Sequence, residues 1–381
     1  IMNRNLLLVT LSLGVWGIGE GFFIYFQPLY LQEWGADPLL IGGVYSVMGI
    51  AMAAAQIPAG YLSDRFGSRS IMWASWILGT MAAWTMALAN SMAAFIAGMV
   101  LYGLTGFVLA PMNSYITNVR GNLSVGRALS LPSGVYNLGA VAGPVIGGLV
   151  ADHLGLKTVY FIAAILFIVS TAIVLFVQKN PETHHADLDS SKSKGLLRNT
   201  RFLAFLGVAF ITLFALYIPQ PLTPNFLQNQ QGFSRTTIGI IGACGSFGSA
   251  ISTLLLGRLS SLAGFFASQL MLIVFSLVLL KGDGAIIFGI GYLFIGGYRL
   301  CRATVLAIGR SLIHPSETGL GYGLIETANA VAVILAPLLA GVLYRQDPYS
   351  VYRIGVLLLS IVILINVIIF STINKRKARK A

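Results

Sequence analysis

The chain has 381 residues, of which 56% are hydrophobic and only 9% are charged. Soluble domains carry about 25% charged residues, so this composition excludes a soluble globular protein and indicates one embedded in a lipid bilayer. The formal net charge of +12 would suit a nucleic-acid partner. Most of the basic residues, however, lie in segments between apolar runs and in the tail 375–380, so no nucleic-acid partner is expected.

Twelve apolar runs are long enough to cross a bilayer, which takes about 20 mostly apolar residues in a helix. The predicted fold class is therefore an all-α membrane protein with twelve transmembrane helices in two pseudo-symmetric halves of six. The predicted spans are 5–31, 38–62, 70–89, 92–118, 125–150, 157–178, 201–228, 235–258, 265–281, 285–311, 317–343 and 350–373.

One long polar stretch, Lys179–Thr200, separates the first six spans from the last six. It contains a proline, two histidines and several charges, which is typical of a flexible linker. His184 and His185 are interpreted as solvated linker residues, with a metal site as the less favoured alternative. The sequence thus predicts an N-terminal half at 1–178, a linker at 179–200 and a C-terminal half with a basic tail at 201–381.

Lysines and arginines indicate the orientation, since cytoplasmic segments carry an excess of them. With the N-terminus inside, seventeen of the 24 fall in cytoplasmic segments, five fall in outer loops, and Arg299 and Arg302 lie within the tenth span. A multi-pass protein of the cell membrane with both termini in the cytoplasm is therefore expected. The first apolar run is too long for a signal peptide and lacks a small-residue cleavage site.

The two halves share short repeated patterns. The Gln-Pro-Leu run Gln27–Leu29 recurs as Gln220–Leu222, and Pro144 recurs as Pro337, both at an offset of 193 positions. Such repetition predicts two halves with the same fold. Halves of this kind are expected to hold a substrate near the middle of the membrane.

A short charged turn lies between the second and third spans. Its distinctive residues are Gly60, Asp64, Arg65, Gly67 and Arg69. A second copy at 257–264 keeps the pattern Gly-x-Leu-Ser-x-x-x-Gly, 197 positions later. A simple connecting hairpin needs neither the acid nor the arginines, so the repeat favours a functional turn.

This turn resembles the loop between helices 2 and 3 of the major facilitator superfamily, which reads Gly-x-Leu-x-Asp-x-x-Gly-x-Arg. The number and order of the apolar runs are similar to that family over the whole chain. The resemblance implies a transporter that works by alternating access and is not an enzyme. It also implies that Asp64 locks the inner gate, although the second copy has Ser261 where the acid would stand.

The fifth span carries a string of small residues and a proline, namely Gly139, Gly143, Pro144, Gly147 and Gly148. Glycines four apart are common packing surfaces in membranes and are weak evidence alone. The whole string resembles the helix-5 signature of the family's antiporters, which implies a gating role and favours export. One departure is Met99 before Gly103, where drug–proton exchangers of the family often carry an arginine.

Four charged residues lie well inside apolar spans, namely Glu20, Arg299, Arg302 and Glu326. An ionised group at the bilayer centre costs about 2.5–3.5 kcal/mol on insertion scales, so each must have a partner or a function. One interpretation is a structural ion pair of Glu326 with one of the arginines. The other is that both arginines bind a carboxylate substrate, which arginine grips with two hydrogen bonds.

Glu20 is the only acid deep in the first six spans, and helical spacing puts Trp16, Phe23 and Gln27 on its face. An acid among aromatic side chains is poorly solvated, which favours its neutral form and allows proton exchange near neutral pH. Glu20 is therefore predicted to couple protons to transport and to face a cationic substrate. The alternative is a buried, protonated acid that hydrogen-bonds a neighbouring helix. Glu326 is the second candidate for proton coupling.

Polar side chains on the other apolar spans must face protein or water, because lipid leaves them unsatisfied. Taken singly, each is more often a helix-packing contact than a ligand contact. Together with the Glu20 face and the charged residues of spans 10 and 11, they are predicted to line the substrate site. These candidates are Tyr102, Asn113, Asn137, Tyr217, Gln220, Tyr292, Tyr322 and Asn329.

No Walker loop, dinucleotide fingerprint or metal-ligand spacing occurs in the sequence, so neither a cofactor nor a metal is expected. The leading hypothesis is a monomeric, proton-coupled exporter of small amphipathic or cationic organic molecules. An organic-anion carrier that uses Arg299 and Arg302 is the alternative. A membrane-embedded enzyme or sensor is a remote third, which a catalytic cluster or an added signalling domain would distinguish.

Overall fold

The structure is a computed structural model that describes residues 3–178, 195–256, 259–314 and 318–378. Within these ranges the regular structure is entirely helical. Most of the predicted linker, residues 179–194, lies outside the described residues, as do Gly257 and Arg258 of the second charged turn.

Sixteen α-helices follow one another along the described parts of the chain. They are α1 (Arg4–Phe23), α2 (Gln27–Glu33), α3 (Pro38–Phe66), α4 (Ser68–Ala87), α5 (Met92–Leu104), α6 (Leu109–Asn118), α7 (Val125–Leu154), α8 (Leu156–Leu175), α9 (Thr200–Tyr217), α10 (Thr223–Asn229), α11 (Arg235–Ile251), α12 (Ser261–Lys281), α13 (Ala285–Leu293), α14 (Gly297–Arg310), α15 (Thr318–Gln346) and α16 (Ser350–Ala378).

Within the described residues, helix makes up most of each of the twelve predicted spans, and ten helical stretches are long and apolar enough to cross a membrane. The remaining two spans correspond to α4 and α11 and do not reach that threshold. α11 has only 17 residues before a π-helical turn at Ser252–Leu256. An all-helical membrane protein is thus confirmed, while the count of twelve spans stays a prediction.

Four predicted spans are interrupted helices, which the apolar pattern did not indicate. The first is broken at 24–26 and the seventh at 218–222. The fourth and tenth pass through 3₁₀ turns at Thr105–Val108 and Phe294–Gly296. The interruptions fall on corresponding spans of the two sequence halves, and interrupted helices in corresponding positions are the usual surroundings of a transporter's binding site.

Local signals explain where several helices begin. Asp37 accepts a hydrogen bond from the Leu40 backbone N–H, with a proline at the first position of α3. Serines cap α5, α7 and α12 in the same way, and Asn199 caps α9. Side-chain oxygens satisfy backbone donors that the first helical turn leaves free.

The chain forms two compact units. One consists of Ile1–Ala186 with Pro224–Phe247, and the other of Asp187–Thr223 with Gly248–Ala381. Residues 224–247 thus cluster with the first half of the sequence. The division of the chain into an N-terminal half at 1–178, a linker at 179–200 and a C-terminal half at 201–381 stays a prediction.

In the first unit, α1 packs against α7 and α8, and α4 packs against α5 and α8. A small polar cluster holds these helices together. Ser12 and Ser170 each donate a hydrogen bond to the other's backbone carbonyl, at 2.9 and 2.7 Å, and the Trp76 indole donates to Ser170 Oγ at 3.0 Å. Interhelical hydrogen bonds of this kind supplement van der Waals packing in lipid, where water provides no driving force.

In the second unit, α12 packs against α14 and α16, and α9 packs against α15. Asn366 of α16 is fully buried and donates to Gln269 Oε1 at 3.0 Å and to Thr212 Oγ1 at 3.4 Å. A buried polar cluster thus joins α9, α12 and α16, much as the serines join helices of the first unit.

Candidate functional site

Glu20 is the acid at the centre of the first unit's candidate site. It lies near the end of α1, is half-buried, and accepts a 2.8 Å hydrogen bond at Oε2 from the hydroxyl of Tyr136 on α7. Sequence spacing did not identify Tyr136. The only sequence signal was its position next to Asn137, on a span already predicted to line the site.

A cluster of aromatic rings lies next to this acid. The Trp16 indole stacks on Phe167 with ring centroids 4.1 Å apart, and it lies 6.4 Å from the ring of Tyr102. Phe23 meets Tyr102 edge-on at 5.3 Å. Trp16 and Tyr102 are each 8% exposed and Phe23 is fully buried. The structure brings these three predicted site residues together as a packed cluster, and their contact with substrate stays a prediction.

The glycine string of the fifth span is where α7 touches its neighbours. A Cβ atom added at Gly139 would lie 2.6 Å from the Gly14 carbonyl oxygen, and one at Gly143 would lie 2.5 Å from the Ile18 carbonyl oxygen. Gly148 faces a different helix, because its Cβ would lie 2.6 Å from the Arg235 carbonyl oxygen at the start of α11. The string therefore allows α7 to meet two helices at backbone distance. A role in gating remains a prediction.

Gln27 stands at the break in the first predicted span. Its side chain is fully buried, and neither amide atom has a hydrogen-bond partner among the described residues. Its repeat counterpart Gln220 lies at the break between α9 and α10 and donates to the Leu216 carbonyl oxygen at 2.7 Å. The repeated Gln-Pro-Leu pattern thus marks a helix interruption in each sequence half.

The second unit contains an ion pair among the charged residues that the sequence analysis interpreted either as a structural pair or as a carboxylate-binding site. Arg302 Nη2 of α14 lies 2.7 Å from Glu326 Oε2 of α15, and both side chains are partly exposed. Arg299, one turn earlier on α14, is exposed and forms no ion pair with any described residue. The two arginines therefore differ in environment, although the sequence treated them alike.

A second polar contact lies beside this ion pair. The hydroxyl of Tyr298 donates to Asn329 Oδ1 at 2.7 Å, and its ring lies 5.2 Å from that of Tyr217. Tyr298 was missed by the sequence analysis. The available signal was its position four residues before Arg302, on the same face of the helix.

The remaining candidates are distributed differently. Tyr292 is buried and packs edge-on against Phe275 at 5.4 Å, within the interior of its unit. Asn137 and Tyr322 are half-buried, and Asn113 is exposed. Their role as ligand contacts stays a prediction.

The charged turn joins α3 to α4 through Gly67, whose φ of +84° favours glycine. The Arg69 guanidinium lies 3.9 Å from the ring centroid of Trp73, and Arg65 lies 5.4 Å from that of Phe66. Asp64 is in α3, but its side chain lies outside what the structure describes, so its predicted gating contact is untested.

The sequence analysis did not predict one polar network. It lies at the end of α2, at the end of α7, along α10 and at the start of α11, and its residues all belong to the first unit. Arg235 forms an ion pair with Glu33 and donates to the Ala151 carbonyl oxygen at 3.0 Å. The Asp152 carboxylate accepts from the backbone N–H groups of Arg235 and Thr236, at 3.0 and 2.8 Å, and so caps α11.

Amide side chains extend this network. Gln32 donates to Asn229 at 3.0 Å and accepts from it at 2.8 Å, and it also accepts from Asn225 at 2.7 Å. We call this set of contacts, from Gln32 and Glu33 to Asp152, Asn225, Asn229 and Arg235, the outer network. It ties α10 and α11 to helices of the first sequence half.

No cluster of three or more possible metal ligands occurs within the described ranges. Cys244 and Cys301 are free thiols there, the first half-buried and the second buried.

Two comparisons of sequence identify the family. The model of the Major Facilitator Superfamily matches residues 9–306 and 205–381. The uncharacterized MFS-type transporter MJ1560 of Methanocaldococcus jannaschii is 23% identical over 86% of this chain and 84% of its own length. The multidrug resistance protein MdtG of Salmonella typhi is 29% identical over 55% of this chain. That match spans only about half of the relative, 54% of its length.

Solved structures show the same fold. The nucleoside transporter NupG covers 94% of this chain and 98% of its own, with a TM-score of 0.83 at 14% identity. The match to the human organic anion transporter MFSD10 covers 95% of this chain and 97% of that transporter, with a TM-score of 0.65 at 16% identity. Sequence identities this low support a shared fold and give no information about the substrate. The chain belongs to the major facilitator superfamily and is a multi-pass membrane transporter, not an enzyme.

Proposed function

We propose that this transporter exports small amphipathic or cationic organic molecules by alternating access, driven by protons that Glu20 binds and releases. The observation that carries the proposal is the environment of Glu20. The Glu20 carboxyl group lies within a membrane-spanning helix, half-buried beside Trp16 and Tyr102, and accepts a hydrogen bond from Tyr136.

Physical chemistry favours this role. An ionisable group inside a membrane span is expensive and marks a proton or substrate pathway in transporters. The Tyr136 hydroxyl can donate a hydrogen bond to the carboxylate and can accept one from the protonated acid, so the contact suits both forms of Glu20. Aromatic faces next to the acid also attract organic cations. The multidrug resistance name of the MdtG relatives supports the same substrate class.

The wider arrangement follows the sequence predictions. We propose that both termini lie in the cytoplasm, on the basis of the distribution of lysines and arginines, and that the protein works as a monomer in the cell membrane. Asp64 and the charged turn serve as the inner gate, and the glycine string of α7 supports the movement of helices. Glu326 is a less favoured proton site, because Arg302 pairs with it at 2.7 Å.

An organic-anion carrier is the second candidate. It is favoured by Arg299, an exposed arginine on a membrane-spanning helix with no acidic partner among the described residues. Such a group is retained inside a membrane only where it faces water, protein or an anion.

The test is transport in proteoliposomes with an imposed pH gradient, using tetraphenylphosphonium as the cationic probe and benzoate as the anionic one. Wild-type protein should accumulate the cation against its gradient, and Glu20→Gln should not, since the variant keeps the shape of the neutral acid. Asp283→Asn, which removes an exposed acid outside the candidate site and the outer network, controls for loss of charge. Gradient-driven transport by Glu20→Gln would reject the coupling role, and benzoate transport that depends on Arg299 would favour the anion carrier.

A further inference from the structure

A cavity of about 370 Å³ lies at the ends of two helices of the second unit. One wall is formed by Gly195, Leu196 and Asn199 at the start of α9, and the other by residues 311–314 after α14. We propose that this basic cavity binds the phosphate group of an anionic lipid headgroup. The proposal concerns the membrane around the transporter and does not depend on Glu20 or on the coupling ion.

Hydrogen bonds hold the two walls together. The Asn199 side chain caps α9 by accepting from backbone N–H groups of its first turn, and Nδ2 of the same side chain donates to the Leu312 carbonyl oxygen at 3.4 Å. On the other wall, Arg310 Nη1 donates to the Ile313 carbonyl oxygen at 3.3 Å. The cavity is therefore a feature of the folded unit, fixed by contacts across it and within one wall.

Positive charge is concentrated at this cavity. Arg198 and Arg201 lie on either side of Asn199 in the chain, Arg310 belongs to the opposite wall, and His314 is one of the lining residues. The three arginines are exposed, and none of them forms an ion pair with a described residue. An exposed arginine without an acidic partner is suited to a phosphate group, which its planar guanidinium binds through two parallel hydrogen bonds.

The depth of the cavity matches that of lipid headgroups. The apolar span of α9 begins at Thr200, next to Asn199, and the apolar span that contains α14 ends at Arg310, next to Ser311. The ends of spanning helices lie at the edge of the hydrocarbon core, where the headgroups begin. On the proposed orientation this is the cytoplasmic side, where anionic lipids attract basic segments and basic pockets between helices bind phosphate-bearing headgroups.

The lining favours a lipid over a free phosphate ion. Leu196 and Leu312 provide apolar surface, while Ser311 and His314 provide polar groups. A volume of about 370 Å³ and a mixed lining are typical of a pocket for an organic ligand. A phosphate ion makes only polar contacts, whereas a phospholipid also presents its glycerol and the first carbons of its acyl chains to apolar side chains.

Native mass spectrometry of the full-length protein, titrated separately with phosphatidylglycerol and phosphatidylcholine, measures the two affinities. Wild-type protein should bind phosphatidylglycerol more tightly. The combination of Arg198→Gln, Arg201→Gln and Arg310→Gln should weaken that binding about a hundredfold, on the order of a factor of five for each arginine. The control combines Lys281→Gln, Arg345→Gln and Arg353→Gln, which removes as many exposed cations at the predicted outer ends and should leave binding unchanged.

A second variant keeps every charge and fills the space. Leu312→Trp places a large ring at a lining position, so it should also weaken the binding of phosphatidylglycerol. Binding that persists in this variant would place the lipid outside the cavity and overturn the proposal. The unfolding temperature without added lipid verifies that each variant is folded.

The remaining outcomes decide between a lipid and a soluble anion. Equal affinity of the wild-type protein for the two lipids, or an equal loss in the two triple variants, would overturn the proposal. Inorganic phosphate is the probe for the soluble source. If it raises the unfolding temperature as much as phosphatidylglycerol does at the same concentration, the assignment to a lipid headgroup is wrong.

Discussion

Arg302 of α14 and Glu326 of α15 form an ion pair, with Nη2 and Oε2 2.7 Å apart. The pair joins two helices of the second unit inside the membrane-spanning part of the chain. Removal of one partner leaves the other as an uncompensated charge, which is costlier than removal of both. The pair is therefore expected to stabilise the protein only while both members are present.

Arg302→Gln should destabilise the protein by about 1–3 kcal/mol, between the values for exposed and buried pairs. The double variant with Glu326→Gln should recover most of that loss. Thermal unfolding of purified protein measures both effects. Arg353→Gln is the control, because its pair with Asp347 is exposed and local. If the double variant is no more stable than Arg302→Gln alone, the two residues do not act as a structural pair.

Because α1 packs closely on α7, alanine should have different effects on stability at two glycines of α7. Gly139→Ala introduces a Cβ 2.6 Å from the Gly14 carbonyl oxygen, and this overpacking should cost about 1–3 kcal/mol. Gly134→Ala meets nothing within 4 Å and should be neutral or slightly stabilising, because alanine favours helices. The unfolding temperature of each variant measures its effect on stability. Equal effects would mean that the helices do not meet at backbone distance.

We expect the ends of α2 and α10, which the outer network joins, to separate during alternating access. A covalent link between them should then block transport. In a background without Cys244 and Cys301, Gln32→Cys with Asn229→Cys should be joined by a short reducible bis-thiol cross-linker. Cross-linking should abolish tetraphenylphosphonium transport, and reduction should restore it.

The pair Asp347→Cys with Arg353→Cys serves as the control for this experiment. Both residues belong to one local turn, so their cross-link should leave transport unchanged. Undiminished transport by the cross-linked Gln32–Asn229 variant would show that the outer network stays closed throughout the cycle.

The predicted orientation can be tested at two exposed loop residues. A cysteine at Asp283 should react with a membrane-impermeant thiol reagent added to intact cells, whereas one at Asn122 should react only after permeabilisation. Both variants need the same cysteine-free background. The reverse pattern of labelling would place the termini outside.

The sequence alone determined the class of protein and the approximate positions of its apolar spans. Apolar composition and helix length are local properties, and a bilayer imposes the same length on every span. Family membership followed from the charged turn at 60–69 and from the string on α7, since both are contiguous motifs. The breaks at 24–26 and 218–222 had a partial signal in the repeated Gln-Pro-Leu pattern.

The partners of the charged and polar groups were decided only by the tertiary structure. Helical spacing placed Glu20, Arg299 and Arg302 on helix faces, but it does not tell how each helix is rotated or which neighbour it meets. Tyr136 meets Glu20 across 116 positions, and Arg235 meets Glu33 across 202. Arg302 has an acidic partner, while Arg299, three residues away on the same helix, has none among the described residues, because the two side chains leave the helix in different directions.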